Sequence, residues 1–203
     1  MKLVPRADAD EEEVIPMPYV VPQTRLWSGN DGEWSVFTMN VGTPGQEFEV
    51  LVSTESPEVW IPLPEGCPPD EREDCPDLRG ARPFNGAASP GFQRNESSTY
   101  QLIGTYELDL KENLGYEGNA EYFYETVRFG AVQEENEGLK VVNQPVAGLA
   151  SKDYFMGQIG LGAQLSQFSN NNAPVDSMMQ RMKDQRKIPS MSYSYNAGAF
   201  YRK

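Results

Sequence analysis

The chain has 203 residues, a formal net charge of −13, no histidine and two cysteines. A surface this acidic repels nucleic acids and anionic membranes, so we expect neither as a partner. The lack of histidine excludes a histidine-based catalytic triad and removes the commonest nitrogen ligand of zinc, and we expect no metal and no other cofactor.

Residues 1–18 are predicted to form an acidic, disordered tail, followed by a single domain over residues 19–203. Residues 8–13 are almost continuously acidic, and prolines at positions 5, 16 and 18 oppose helix and sheet alike. Tyr19–Val21 is predicted as the first strand. The chain contains 18 glycines and 16 prolines between runs of β-forming residues, which favours an all-β class with many turns.

A strand–turn–strand unit is predicted between Trp34 and Ser53. Residues 36–41 and 48–53 alternate apolar and polar side chains with the period of two that a half-buried strand requires. The cluster Gly42–Gly45, Gly-Thr-Pro-Gly, supplies the turn between them. A third short apolar run, Val59–Ile61, follows.

The middle of the chain predicts a polar turn and a hairpin. Residues 92–100 are predicted to form a turn that enters a strand. Residues 105–110 and 122–130 alternate as two strands, and residues 114–120 form the turn between them. Gln158–Gly162 is predicted as an apolar strand whose glycines allow close approach of another backbone.

One helix is predicted, over Ser177–Lys187, with Asp176 or Ser177 as its N-cap. Its apolar stripe points to core packing and is formed by Met178, Met179 and Met182. Ile188–Tyr195 alternates serines with large apolar residues and is predicted as a strand.

Several of these segments resemble the pepsin-like aspartic peptidases. The matching segments are Val41–Pro44, Phe48–Val50, Val59–Pro62, Ser97–Tyr100, Tyr124–Val127 and Gln158–Gly162. The resemblance implies an acid-protease barrel, all-β, present as a single N-terminal lobe with a short helix near its C-terminal end. The motifs are similar to those of secreted or surface proteins of this family from filamentous fungi.

The centre of the first active-site motif departs from the family. Where the family has Asp-Thr-Gly-Ser, this chain has Ser53-Thr54-Glu55-Ser56, so a serine takes the place of the catalytic aspartate. A serine hydroxyl cannot accept the proton of the attacking water, and no Asp-Thr-Gly or Asp-Ser-Gly follows. Glu55 could substitute for the lost carboxylate, but a solvated loop residue is the preferred interpretation.

The family resemblance also implies a cleft for an extended peptide. Ser53 and Thr54 would form its floor, Trp60 a wall and Tyr116, in the hairpin called the flap, its roof. Asn113 is the other candidate for the flap position. Trp60 can equally be a core aromatic under the flap, and the hairpin tyrosines can simply pack on the barrel.

Cys67 and Cys75 lie eight residues apart in a proline- and aspartate-rich loop, where the family has a small disulfide loop; two free thiols are the alternative. Asn95-Glu96-Ser97 is an N-glycosylation sequon. Together they favour a secreted or extracellular protein. Any cell-surface anchor would lie outside this chain.

These observations predict a pseudopeptidase lobe that binds a peptide or protein in its cleft, or serves as a sensor ectodomain. The expected partners are that ligand and either a C-terminal lobe or a second copy of the chain. One alternative is part of an active acid endopeptidase whose second lobe lies elsewhere. Another is a glycan-binding protein or an inhibitor of glycanases, as some plant pseudopeptidases are.

Overall fold

The computed structural model describes residues 16–28, 32–67, 73–107, 119–130, 139–151, 156–165 and 174–198. Over these ranges the chain is mainly strand. The elements are β1 (Gln23–Ser28), β2 (Trp34–Val41), β3 (Gln46–Ser53), β4 (Val59–Pro62), α1 (Cys75–Leu78), β5 (Gln101–Glu107), β6 (Asn119–Phe129), β7 (Leu139–Leu149), β8 (Gly157–Gly160) and α2 (Met178–Asp184).

The strands form one mixed sheet that closes on itself. Their order is β1-β2-β3-β8-β4-β7-β6-β5, and a further pairing joins β2 to β6. The pairings β3–β8 and β4–β7 are parallel, and the others are antiparallel. The closing pair places Met39 opposite Phe129, so six strands surround the core while β1 and β5 lie outside the closure. This confirms the predicted all-β, barrel-like class.

The predicted strand–turn–strand unit is β2 and β3. The two strands pair antiparallel, with Met39 opposite Phe48 and Phe37 opposite Val50. All four side chains are buried in the main core cluster. Alternation therefore identified the inward-facing positions, because successive side chains of a strand point to opposite faces of the sheet.

The single predicted helix is α2, and it starts where the capping signal placed it. The Ser177 hydroxyl accepts a hydrogen bond from the Gln180 amide at 3.3 Å, which satisfies one free donor of the first turn. Its three methionines, Met178, Met179 and Met182, are buried in the core. The helix ends at Asp184, earlier than predicted, and Arg186 follows with φ of 54°.

Two predicted strands are absent. Residues 19–21 and 188–195 belong to no strand, and the first strand among the described residues is instead Gln23–Ser28. A strand needs a neighbouring backbone as partner, and Pro189 also lacks the donor that a ladder uses. The C-terminal segment is held by side chains instead: the Tyr195 ring lies 6.1 Å from that of Phe37.

Candidate functional site

The candidate site is the loop between β3 and β4, which begins at Ser53. The Ser53 carbonyl accepts a hydrogen bond from the Leu161 amide at 2.8 Å, continuing the parallel pairing with β8. The Ser53 hydroxyl accepts from the Ser56 amide at 3.0 Å, and the Ser56 hydroxyl accepts from the Glu58 amide at 3.1 Å. Two serine hydroxyls thus fold the loop into a tight turn.

This turn positions a hydroxyl group where the family resemblance places a carboxylate. Ser53 is half-buried, and its oxygen is engaged as an acceptor by Ser56. Activating a serine as a nucleophile needs an adjacent base, and the sequence has no histidine to act as one. Ser53 therefore helps to hold the backbone of the loop, and its hydroxyl does not exchange protons near neutral or acid pH.

Two glycines, Gly160 at the end of β8 and Gly162 just after it, let this segment pass directly beneath the loop. A Cβ built on Gly160 would lie 2.5 Å from backbone atoms of Ser56 and Glu58, and one on Gly162 would lie 2.5 Å from the Glu55 carbonyl oxygen. The Gly162 amide also donates to the Ser56 carbonyl at 3.0 Å. The sequence predicted close approach of another backbone at these glycines. The contact holds the loop between β3 and β4 in position against the segment that contains them.

The variant Gly160→Ala is expected to destabilise the protein by about 1–3 kcal/mol, because the new methyl group overlaps rigid backbone. The loop at Ser56 must shift to admit it. Urea denaturation measures the change in unfolding free energy, and Gly45→Ala serves as the control, because its φ is not positive and the atom nearest to its Cβ position, Asn40 Cβ, lies 3.2 Å away. Equal stability of Gly160→Ala and the native protein would contradict the close contact.

Thr54 and Glu55 have exposed side chains, while their backbone is held from two directions. The Glu55 carbonyl accepts from the Gln164 side chain, and the Thr54 carbonyl accepts from the Tyr193 hydroxyl at 3.5 Å. The exposure of Glu55 agrees with the preferred interpretation of a solvated loop residue. The contact from Tyr193 brings the C-terminal segment to the candidate site, which sequence analysis did not predict.

Trp60 lies on the face of β4 opposite Val59 and Ile61. The latter two belong to the main core, whereas the Trp60 ring packs against a second apolar cluster that includes Tyr122. Its indole N–H donates to the Glu58 carboxylate at 3.1 Å. The structure thus gives Trp60 a packing role, and its role as a cleft wall stays a prediction.

The predicted flap is partly described. Strands β5 and β6 pair antiparallel from Gln101 opposite Tyr124 to Glu107 opposite Asn119. Tyr116 and Asn113, the two candidates for the flap position, lie outside the described residues. Near the described end of the hairpin the rings of Tyr106 and Tyr122 are 5.9 Å apart.

A buried carboxylate joins three of the segments that carry the family resemblance. Glu125 is 1% exposed and accepts hydrogen bonds from the Ser97 hydroxyl, from the Thr99 hydroxyl at 2.6 Å and from the Thr126 amide at 2.6 Å. The Ser97 oxygen in turn accepts from the Thr43 amide at 3.0 Å. Charge-assisted bonds of this kind are the stronger ones, so Glu125 ties the two motif segments around Thr43 and Ser97 to β6.

An ion-pair network lies beside the sequon. Arg94 donates to Glu65 at 2.8 Å and also to Glu121, which accepts from the Tyr100 hydroxyl at 2.9 Å. Burial would lower the pKa of Arg94, but its two carboxylate partners raise it above the ordinary value. Burial would raise the pKa of Glu65, but the hydrogen bond from Arg94 lowers it. Burial, together with Glu121, raises the pKa of Tyr100 to about 12.

The predicted disulfide is confirmed. Cys67 and Cys75 are bonded, with their Cα atoms 5.9 Å apart. Beneath this loop the buried Arg79 guanidinium donates to the carbonyls of Leu149 at 3.0 Å and Ser151 at 3.1 Å, which links the loop to the end of β7. Burial lowers the pKa of Arg79 to about 10.

An apolar groove of about 620 Å³ runs along the sheet on the side of the terminal segments. Its floor includes Val52, Ile159 and Leu161, and its walls are residues 18–23 and most of residues 188–196. Val20, on one wall, is 81% exposed. No helix among the described residues has the length and apolar character needed to cross a membrane.

The closed mixed sheet, the glycine-lined loop after β3 and the neighbouring hairpin define a pepsin-type lobe. Residues 36–199 match the eukaryotic aspartyl protease family, and the chain belongs to that family. It is 30% identical to "Secreted aspartic protease 6" of Candida albicans over 77% of this chain and 34% of that protein. It is 23% identical to "Acid protease" of Saccharomycopsis fibuligera over 81% of this chain and 36% of that protein. The chain therefore spans about a third of the length of these relatives.

Proposed function

We propose that this lobe is a secreted pepsin-like pseudopeptidase domain that binds an extended peptide or protein segment without hydrolysing it. The observation that carries the proposal is the hydroxyl of Ser53 at the start of the loop after β3. Aspartic peptidases use two carboxylates that share one proton around a water molecule, one as base and one as acid. A lobe with serine at this position contributes neither the acid nor the base.

Binding does not need the lost carboxylate. An extended peptide can add to an exposed strand edge through its backbone, while pockets receive alternate side chains. Strand β5 lies outside the barrel closure, and the exposed backbone turn at Thr54 lies at the end of β3. We place the ligand between this turn and the β5–β6 hairpin, with Trp60 and Tyr116 as the wall and roof of the cleft.

Secretion is supported by the disulfide and by the relatives. Cys67 and Cys75 form a bond that is stable in oxidising compartments and rare in the cytosol. One relative is named a secreted aspartic protease. A cell-surface location would require an anchor outside this chain.

The apolar groove between residues 18–23 and 188–196 is the surface that we assign to a second lobe or a second copy of the chain. Large contiguous apolar surfaces are uncommon on monomers and usually mark an interaction site. Either occupant would cover exposed residues such as Val20 and Tyr195.

The test is incubation of the chain with acid-denatured globin over a range of acidic pH values, with and without pepstatin. We expect no fragments by mass spectrometry, and the same result for Ser53→Ala. Pepstatin-sensitive cleavage by this polypeptide, lost in the Ser53→Ala variant, would contradict the proposal.

The binding half has its own test, selection of peptides from a displayed random library. Affinity for a selected peptide is expected to fall on the order of tenfold in Thr54→Arg, which places a bulky charge on the proposed floor. Ala88→Arg, an equal change of charge at an exposed loop position outside the β3–β4 loop and the β5–β6 hairpin, is the control. Equal affinity in Thr54→Arg would place the ligand elsewhere.

A second candidate is the first lobe of an active acid endopeptidase whose other lobe supplies the only catalytic aspartate. The intact hydrogen bonds from the Leu161 and Gly162 amides to the loop favour it, since the scaffold that would present a carboxylate is preserved. Cleavage of globin by the complete protein, abolished when the second-lobe aspartate is changed to asparagine, would support this candidate over the first.

A further inference from the structure

The sequence contains one N-glycosylation sequon, Asn95-Glu96-Ser97. Its asparagine is exposed, in the middle of a short 3-10 turn, Arg94–Glu96, that precedes β5. The turn is well defined, because the Glu96 amide donates to the Gln93 carbonyl at 3.1 Å and the Ser97 amide donates to the Arg94 carbonyl at 3.1 Å. An exposed asparagine on a surface turn can accommodate a bulky, hydrophilic glycan.

The neighbours of Asn95 are turned towards the protein. Arg94 is held by the carboxylates of Glu65 and Glu121. Ser97, the third residue of the sequon, donates to the buried Glu125 and accepts from the Thr43 amide. In the folded chain Asn95 is therefore exposed, whereas the Ser97 hydroxyl, which the sequon requires, is engaged in hydrogen bonds.

We propose that Asn95 carries an N-linked oligosaccharide and that the sugar is attached before the Ser97 hydroxyl becomes engaged in the network around Glu125. This inference rests on the secretory route of the proposed function. In the transfer, a bond forms between the Asn95 side-chain nitrogen and the anomeric carbon of a lipid-diphosphate-linked oligosaccharide. The anomeric C–O bond breaks, the lipid diphosphate leaves and the amide loses one proton.

The position of Asn95 is compatible with the apolar groove proposed as an interaction surface of the lobe. None of residues 91–100 lines the apolar groove. A glycan at Asn95 thus leaves the groove open while covering the exposed edge of the Arg94 ion-pair network.

In the first experiment the chain is fused to an N-terminal secretion signal and expressed in a eukaryotic host. This directs the chain into the secretory route and so tests the glycosylation site independently of where the native protein is located. Peptide N-glycosidase converts a glycosylated asparagine to aspartate. We expect that conversion at Asn95 by peptide mass, a loss of apparent mass on gels, and no change for Asn95→Gln. Native chain with unmodified Asn95 would overturn the proposal while leaving the pseudopeptidase function standing.

The second experiment tests the order of events. Unglycosylated chain made in bacteria and folded with its disulfide intact is incubated with detergent-solubilised microsomes that contain the oligosaccharide donor and transferase, so that folded and unfolded chains reach the enzyme equally. We expect glycosylation of the reduced, unfolded chain and at least a tenfold loss for the folded chain. Ser97→Thr, which keeps a hydroxyl and the sequon, should behave like the native sequence in both states. Equal modification of folded and unfolded chains would overturn the proposed order.

Discussion

Glu125→Ala is expected to lower the free energy of unfolding by about 3 kcal/mol, because it removes the acceptor of one buried and two partly buried donors. The Ser97 and Thr99 hydroxyls can turn towards other oxygens, with Thr99 Oγ1 lying 3.0 Å from Thr43 Oγ1. The Thr126 amide is fixed in β6 and cannot turn away. Guanidinium denaturation followed by tryptophan fluorescence measures the change.

Two further variants isolate the cause of that loss. Glu125→Gln keeps the volume of the side chain but removes the charge and one acceptor oxygen. We therefore expect its free energy of unfolding to lie between those of the native protein and Glu125→Ala. Glu33→Ala removes an exposed carboxylate and should change stability by no more than about 0.5 kcal/mol. Native stability in Glu125→Ala would show that the three motif segments are held together by other contacts.

Phe123→Ala is expected to lower the free energy of unfolding by about 3–5 kcal/mol, the range for loss of a buried aromatic side chain. Phe123 is fully buried and stacks on Phe92 with ring centroids 5.2 Å apart. Its ring centroid also lies 5.1 Å from that of Tyr100. The variant thus leaves a cavity where the turn around Phe92 packs on β6.

The matched control is Leu102→Ala on the paired strand. Leu102 lies directly opposite Phe123 in the register of β5 and β6, yet it is 60% exposed. We expect a change within about 0.5 kcal/mol, because little apolar area is removed from a packed environment. Calorimetry or denaturation of both variants tests the contrast. Similar losses for the two variants would contradict the assignment of Phe123 to the core.

Patterns within a single segment of the sequence predicted the strands and the helix start that depend mainly on the residues of that segment. The alternation over Trp34–Ser53 identified β2 and β3, and the serine before the methionine stripe identified the start of α2. The position of Gln158–Gly162 was correct because glycines in an apolar run indicate close backbone approach. Ser53 could be assigned to its loop because the flanking motif segments are preserved.

The remaining features depend on contacts between distant residues. Strand β7, Leu139–Leu149, has a mixed pattern that did not identify it as a strand, although it is almost wholly buried between β4 and β6. The failure at residues 188–195 has the same origin, since alternation indicates extended chain but not whether a neighbour pairs with it. The role of Glu125 required knowing that Ser97 and Thr43 lie beside it.

The hydroxyl at position 53 also bears on how the proposed cleft would respond to acid. An aspartate there would gain or lose a proton as the surroundings acidify, and ligand affinity would change with it. A serine does not titrate in that range. Position 53 therefore contributes no proton linkage to the ligand binding proposed for this loop, and any pH dependence of that binding must come from other groups.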